Sequence, residues 1–224
     1  MELMREQMPD FEAIPYSIRI GVTGHRKLED PTAVETLVKR AIDAEVEGLF
    51  PGDSRRKIER VRRAGTAAIS FRILSPLAEG ADRVVARAVL SYPDARLVAV
   101  LPMTLEDYLE DFATEKSRKE FEELLALCRK PVFLRTWCIR DECGEQDKLR
   151  AELRRDAYTQ AGRYVVDHCD VLVAVWDGEP SSERGGTAEI VQYALEVNRP
   201  IIRVWGDLFE VLNRDQIQAS YQCT

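Results

Sequence analysis

Histidine is nearly absent from this 224-residue chain, with two in all, and the five cysteines, Cys128, Cys138, Cys143, Cys169 and Cys223, form no Cys-x-x-Cys pair. A zinc site needs clustered imidazole or thiolate ligands, so no metal is expected. No apolar run approaches membrane-spanning length, and Glu2, Arg5, Glu6 and Asp10 interrupt the N-terminus where a secretion signal would need an apolar core. Positive charge is also in deficit. With 32 Lys and Arg against 39 Asp and Glu the formal net charge is −7, the wrong balance for tracking a phosphate backbone. The one basic cluster, Arg55, Arg56, Lys57, Arg60, Arg62 and Arg63, reads as a solvated face. Internal repeats, low-complexity tracts and Pro- or Ser-rich linkers are missing as well. These absences predict a cytoplasmic, reduced protein with no cofactor, no membrane association and no stable nucleic-acid partner. Residues 17–224 are expected to form one domain behind an N-terminal extension, residues 1–16.

What is present is a 45% hydrophobic composition arranged as apolar runs that alternate with amphipathic segments. Ile18–Val22, Ile69–Leu74, Ala95–Leu101, Val171–Val175 and Pro200–Trp205 read as strands. After the first, Asp30-Pro31 marks a helix start, and Val34, Leu37, Val38, Ala41, Ile42, Val46 and Leu49 recur at helical spacing. Pro102–Lys130 is charged and helical, with Tyr108, Phe112, Phe121, Leu124, Leu125 and Cys128 on one stripe that can cover a pocket or meet a second subunit. Trp137–Gln146 reads as a loop or short hairpin, and Asp147–His168 as a long helix whose arginines, Arg154, Arg155 and Arg163, are available to an anion. The alternation predicts an α/β fold: a Rossmann-like three-layer sandwich with a mainly parallel central sheet.

Three of the strands deliver chemistry-bearing loops. Val171–Val175 leads through Trp176-Asp177-Gly178 to Gly185-Gly186-Thr187-Ala188-Glu189. Glycines let a backbone approach an anion closely, and the first amides of the following helix lack intrahelical acceptors, so this is a phosphate site in type. Thr187 is placed either to cap that helix or to give its hydroxyl to a phosphate. The first strand ends in Thr23-Gly24-His25-Arg26, at the carboxyl end where ligands of open α/β sheets bind. Arg26 is a forked donor suited to phosphate, and His25 can bond a base, ribose or phosphate. The second strand ends in Ser75-Pro76-Leu77-Ala78-Glu79-Gly80-Ala81-Asp82, where Glu79 can accept from ribose hydroxyls and Asp82 serves the positive end of a helix.

Together, Gly21-Val22-Thr23-Gly24-His25-Arg26, Ser75 to Asp82, Trp176-Asp177-Gly178 and Gly185 to Glu189 resemble the SLOG superfamily of Rossmann-like domains, which includes the DprA proteins, the Lonely Guy phosphoribohydrolases and ligand-sensing domains of defence effectors. The resemblance runs from about Ser17 to Trp205. It implies a ligand phosphate at Gly185, Gly186 and Thr187 with Gly24 and Arg26 opposite. The implied ligand-binding set is completed by Gly21, Thr23, His25, Ser75, Glu79, Gly80, Asp82 and Gly178. Glu189 corresponds by resemblance to a glutamate that assists N-glycosidic cleavage, and Arg163 to a catalytic arginine. The glutamate follows the threonine by two residues instead of three, and the proline and third glycine of the hydrolase motif are missing. Asp177-Gly178 with the downstream Gly-Thr-Ala-Glu also resembles the nucleoside deoxyribosyltransferases, with Asp177 orienting a ribose hydroxyl.

Two readings follow. The chain is expected to bind a nucleotide or ADP-ribose-like derivative as a sensing domain, working as a homodimer or higher homo-oligomer. Alternatively it cleaves or transfers an N-glycosidic bond through Glu189, Asp177 and Arg163, chemistry that needs an acid beside an oxocarbenium-like centre.

Overall fold

A computed structural model describes residues 16–48, 69–143, 146–180 and 185–212. The basic cluster at Arg55–Arg63, residues 1–15 of the expected extension, Leu49 of the first helical stripe and Cys223 lie outside the described residues. The strands are β1 (Tyr16–Gly24), β2 (Ile69–Ser75), β3 (Arg96–Leu101), β4 (Val132–Phe133), β5 (Val171–Val175), β6 (Ile201–Trp205) and β7 (Leu208–Leu212). The helices are α1 (Pro31–Gly48), α2 (Ala81–Leu90), α3 (Leu105–Leu109), α4 (Glu115–Ala126), α5 (Ile139–Cys143), α6 (Asp147–His168) and α7 (Thr187–Glu196). The strands form one sheet in the order β4-β3-β2-β1-β5-β6-β7, parallel throughout except for β7 against β6. This is the expected α/β, Rossmann-like architecture.

A parallel sheet is covered on both faces, so its strands read as nearly continuous apolar runs. Ile18, Ile20 and Val22 of β1 and Val173 and Val175 of β5 bury against α1 and α2, where they meet Leu37, Val38, Ala41, Val85 and Val89. The alternate residues Leu172, Ala174 and Trp176 bury against Val165 and Val166 of α6 and Ile190, Val191 and Ala194 of α7. Gly21 faces that second layer. A Cβ there would stand 2.7 Å from Val165 Cγ1 and 2.9 Å from Cys169 Sγ, so the glycine expected to bind ligand instead leaves room for α6 and the residue after it to pack on the sheet. Asp30 starts α1 as anticipated, its Oδ1 accepting from Thr32 N–H at 3.0 Å and Ala33 N–H at 2.9 Å.

Three local expectations are corrected. Thr23 and Gly24 are not loop: they continue β1 and pair with Ala174 and Val175 of β5. Ile139–Cys143 are neither loop nor hairpin, because α5 turns there, its Ile139 N–H donating at 2.8 Å to the buried Asp107 carboxylate of α3, a cap for an otherwise orphaned amide. Burial alone would raise the Asp107 carboxyl; hydrogen bonds from Ile139, Thr104 and Cys138 and the charge of Arg154 hold it below its ordinary value. The charged segment after β3 is two helices, capped separately by Thr104 and Thr114. Arg83 of α2, 2% exposed, anchors the second of them, α4, to the turn after β2 by donating to Leu77 O at 3.1 Å and to Ser117 O, Ser117 Oγ and Glu120 Oε2 at 3.0 Å each.

Candidate functional site

The chain leaves β1 towards β2, β3 and β4 on one side and returns to the other side with β5, β6 and β7. The order therefore reverses between β1 and β5, and the crevice at the carboxyl ends of two such strands is where open α/β sheets bind ligands. A pocket of about 690 Å³ lies there, lined by Thr23 and Gly24 at the end of β1 and His25 and Arg26 after it, by Ala78 and Asp82 after β2, by Trp176 and Asp177 after β5, by Trp205 of β6, and by the start of α7.

Part of the pocket wall is built from Gly185, Gly186 and Thr187. Gly185 turns with φ 76°, a conformation other residues rarely adopt, and Gly186 is the N-cap of α7 with no side chain capping it. The first amides of α7 and its dipole thus face an anion's preferred surroundings. Thr187 is the first helical residue, not the cap.

Glu189 and Arg163 are brought together, but as a brace. Glu189 Oε2 accepts the Gly185 N–H at 2.5 Å, and Oε1 lies 3.6 Å from Arg163 Nη2, whose guanidinium sits 5.0 Å over the Tyr193 ring. Neither residue lines the pocket, although Ala188 and Ile190 beside Glu189 do.

The loop after β1 is stitched to both neighbours. His25 N–H donates to Val175 O at 3.1 Å, and Ala81 N–H donates to His25 O at 3.0 Å. His25 Nε2 is 3.3 Å from both the amide nitrogen and Oδ2 of Asp177. A neutral ring with its proton on Nδ1 accepts the amide hydrogen there, whereas a charged ring pairs with the carboxylate. The ring also meets Trp205 edge-on with centroids 5.2 Å apart. Asp177 Oδ1 accepts the Glu179 N–H at 2.9 Å. Gly178, with φ 95°, packs over the Arg203 guanidinium and does not line the pocket.

Arg26 is half exposed, 5.2 Å over the Tyr158 ring, with Nη2 3.7 Å from Asp111 Oδ2. Beside it, the Tyr158 hydroxyl and Asp111 Oδ2 are buried and make no hydrogen bond within the protein.

After β2, only Asp82 among the expected binders reaches the pocket. Ser75 Oγ accepts from Leu77 N–H at 3.0 Å and donates to Asp82 O at 3.3 Å, which shapes the turn. Glu79 accepts from Ser117 Oγ and so joins the α4 anchor. Gly80, φ 79°, lets this turn pass against the backbone of Arg26. Asp82 is 7% exposed and its Oδ2 accepts the Ala78 N–H at 3.1 Å. Burial pushes its carboxyl up to about 7, against the lowering effects of the Ala78 bond and of Arg26 and Arg83.

Tyr108, Tyr158, Ala161, Gly162 and Trp205 also line the pocket, from positions that no glycine-loop motif marks. The spacing of Tyr158, Ala161 and Gly162 is that of one helix face, and two adjacent small residues on it are a signal that something approaches α6 closely. Trp176 and Trp205 each end an apolar strand run, so their strands carry both to the binding edge. Among the described residues no group of three or more His, Cys, Asp or Glu can hold a metal, and no helix is long and apolar enough to cross a membrane.

No protein-family model matches the chain, and no curated protein matches it. Among solved structures, the X-ray structure of DNA processing protein A (DprA) from Streptococcus pneumoniae is similar at 16% identity and a TM-score of 0.49, covering 92% of this chain and 56% of that one. The chain thus spans about half the length of that neighbour. The likeness concerns the fold alone, and the α/β class stands on the sheet itself.

Proposed function

We propose that the protein binds a nucleotide or nucleotide-derived small molecule in the switch-point pocket, as a ligand-sensing domain of the SLOG type. The observation that carries this reading is the convergence, in one crevice, of the unprotected start of α7 with the Arg26 guanidinium and the aromatic surfaces of His25 and Trp205. Amides and guanidinium suit phosphate oxygens, and the rings suit a base. The net charge of −7 favours a small ligand over an extended nucleic-acid strand.

Mass spectrometry under native conditions, on protein purified without added ligand, tests the class directly through any co-purifying mass. Calorimetry tests the site. Arg26→Ala should weaken nucleotide binding by about tenfold or more, roughly 1.4 kcal/mol, in a variant that still unfolds cooperatively. Unchanged affinity in that variant removes this pocket from consideration.

Binding is favoured over N-glycosidic cleavage because both Glu189 oxygens are engaged, one by Gly185 and one by Arg163, outside the pocket lining. The expected result is no release of free base from a panel of nucleoside monophosphates, deoxynucleosides and ADP-ribose derivatives by wild type or by Glu189→Gln. Chromatographic base release that collapses in Glu189→Gln restores the enzymatic reading.

A further inference from the structure

The peptide that joins Trp176 to Asp177 is held at both of its edges. Its N–H, that of Asp177, donates to His25 Nε2 at 3.3 Å, and its oxygen, that of Trp176, accepts from Arg203 Nε at 3.1 Å. The two polar groups of a trans peptide point in opposite directions from one rigid plane, so His25 and Arg203 grip that plane from opposite sides. His25 and Asp177 line the pocket, whereas Arg203, on β6, does not.

The place of Arg203 follows from where the sheet stops. The last bond between the β5 and β6 chains is from Trp176 N–H to Val204 O, at 3.2 Å. The next two carbonyls, of Trp176 and Asp177, are taken instead by one guanidinium, through its Nε and its Nη2. A planar fork presents both donors in a fixed geometry. The peptides on either side of the Asp177 Cα are thereby both oriented, which restricts that residue's φ and ψ and aims its carboxylate. Oδ1 then accepts the Glu179 N–H at 2.9 Å, and Oδ2 stands 3.3 Å from His25 Nε2. Gly178 completes the seat, since a Cβ there would stand 2.7 Å from Arg203 Nη2. The remaining contact of Arg203 is an ion pair, Nη1 to Glu210 Oε1 at 2.8 Å, with a carboxylate side chain 55% exposed. Pairs so open to water contribute little, so the carbonyl bonds are the contacts that shape the loop.

We propose that Arg203 is a positioning residue of the pocket, fixing through the Trp176 and Asp177 carbonyls the Asp177 carboxylate and the His25 ring that a ligand meets. The effect on ligand rests on the reading of this crevice as the nucleotide site, and the effect on His25 does not.

Nitrogen-15 NMR of the imidazole rings tests the positioning with no ligand added. At a pH where the ring is neutral, wild-type His25 should carry its proton on Nδ1, because Nε2 accepts the Asp177 N–H. Arg203→Ala should move it towards the Nε2–H form that the free side chain prefers. With two histidines in the chain, His168→Gln identifies the signals. Calorimetry with ADP, GDP, CDP, UDP and ADP-ribose gives the second readout: the tightest binder should lose about fivefold or more in Arg203→Ala and less than about twofold in Glu210→Gln. Should the alanine variant not fold, Arg203→Lys, which keeps the charge but not the fork, should show the same tautomer shift and a loss of about threefold or more. An unmoved His25 tautomer, an unchanged affinity in a folded Arg203 variant, or a Glu210→Gln loss as large as that of Arg203→Ala overturns this inference and leaves the nucleotide site standing. Absence of binding to wild type by every compound overturns the nucleotide reading and, with it, the role of Arg203 in ligand binding.

Discussion

Gly80→Ala should destabilise the fold by about 3 kcal/mol or more, through two costs that act at once. Gly80 is the N-cap of α2 with φ 79° and ψ −121°, a region that side chains other than glycine avoid. A Cβ would also collide with Arg26 O and stand 2.5 Å from His25 O and the Arg26 carbonyl carbon. These are backbone atoms, so relief requires moving the whole loop after β1. That movement breaks the 3.0 Å bond from Ala81 N–H to His25 O and shifts Arg26 and His25 in the pocket. Gly206→Ala is the control, because Gly206 also has positive φ, 58°, but a Cβ added there would meet nothing within 4 Å. It should cost only about 1 kcal/mol. Urea unfolding of both variants decides, and a Gly80→Ala loss no larger than that of Gly206→Ala sinks the close-approach account.

The same turn shows which parts of this molecule are legible from residues alone. The central strands are, since a sheet covered on both faces demands unbroken apolar runs such as Val171–Val175, and α6 begins and ends at the residues its pattern predicts, Asp147 and His168. Edge elements are not. β4 has two residues, and β7 leaves Leu208, Glu210 and Val211 exposed, so neither carries the burial signature that marks a central strand. Strand ends mark residues that share one crevice, because Thr23, Gly24, His25, Arg26, Asp177 and Gly185 to Thr187 all line the pocket. Membership of a loop, however, does not reveal a side chain's partner. Glu79 is occupied by Ser117, and Glu189 by Gly185 and Arg163. Tyr108 and Tyr158 reach the pocket from α3 and α6, where no local pattern links them to the glycine loops.

Asp82 combines a legible position with a property only burial creates, and its effect on stability has a definite sign. The carboxyl rises from 3.8 to about 7 on folding, chiefly because burial removes water from the ionised form. Between those values the folded chain holds a proton that the unfolded chain has released, so unfolding free energy must fall as pH increases across that window. The stabilisation is complete below about pH 4 and gone above about pH 7. At about 1.4 kcal/mol per unit, the full change is on the order of 4 kcal/mol. Asp82→Asn removes the titrating group while retaining an acceptor for the Ala78 N–H, so it should flatten this part of the stability curve. Relative to wild type, the variant should gain about 2–3 kcal/mol between pH 5 and pH 8 and be the more stable protein at the upper end. Urea unfolding across that range measures the difference directly. Parallel stability curves for the two proteins would mean that Asp82 ionises as freely in the folded chain as in the unfolded one, and that Arg26 and Arg83 offset its burial in full.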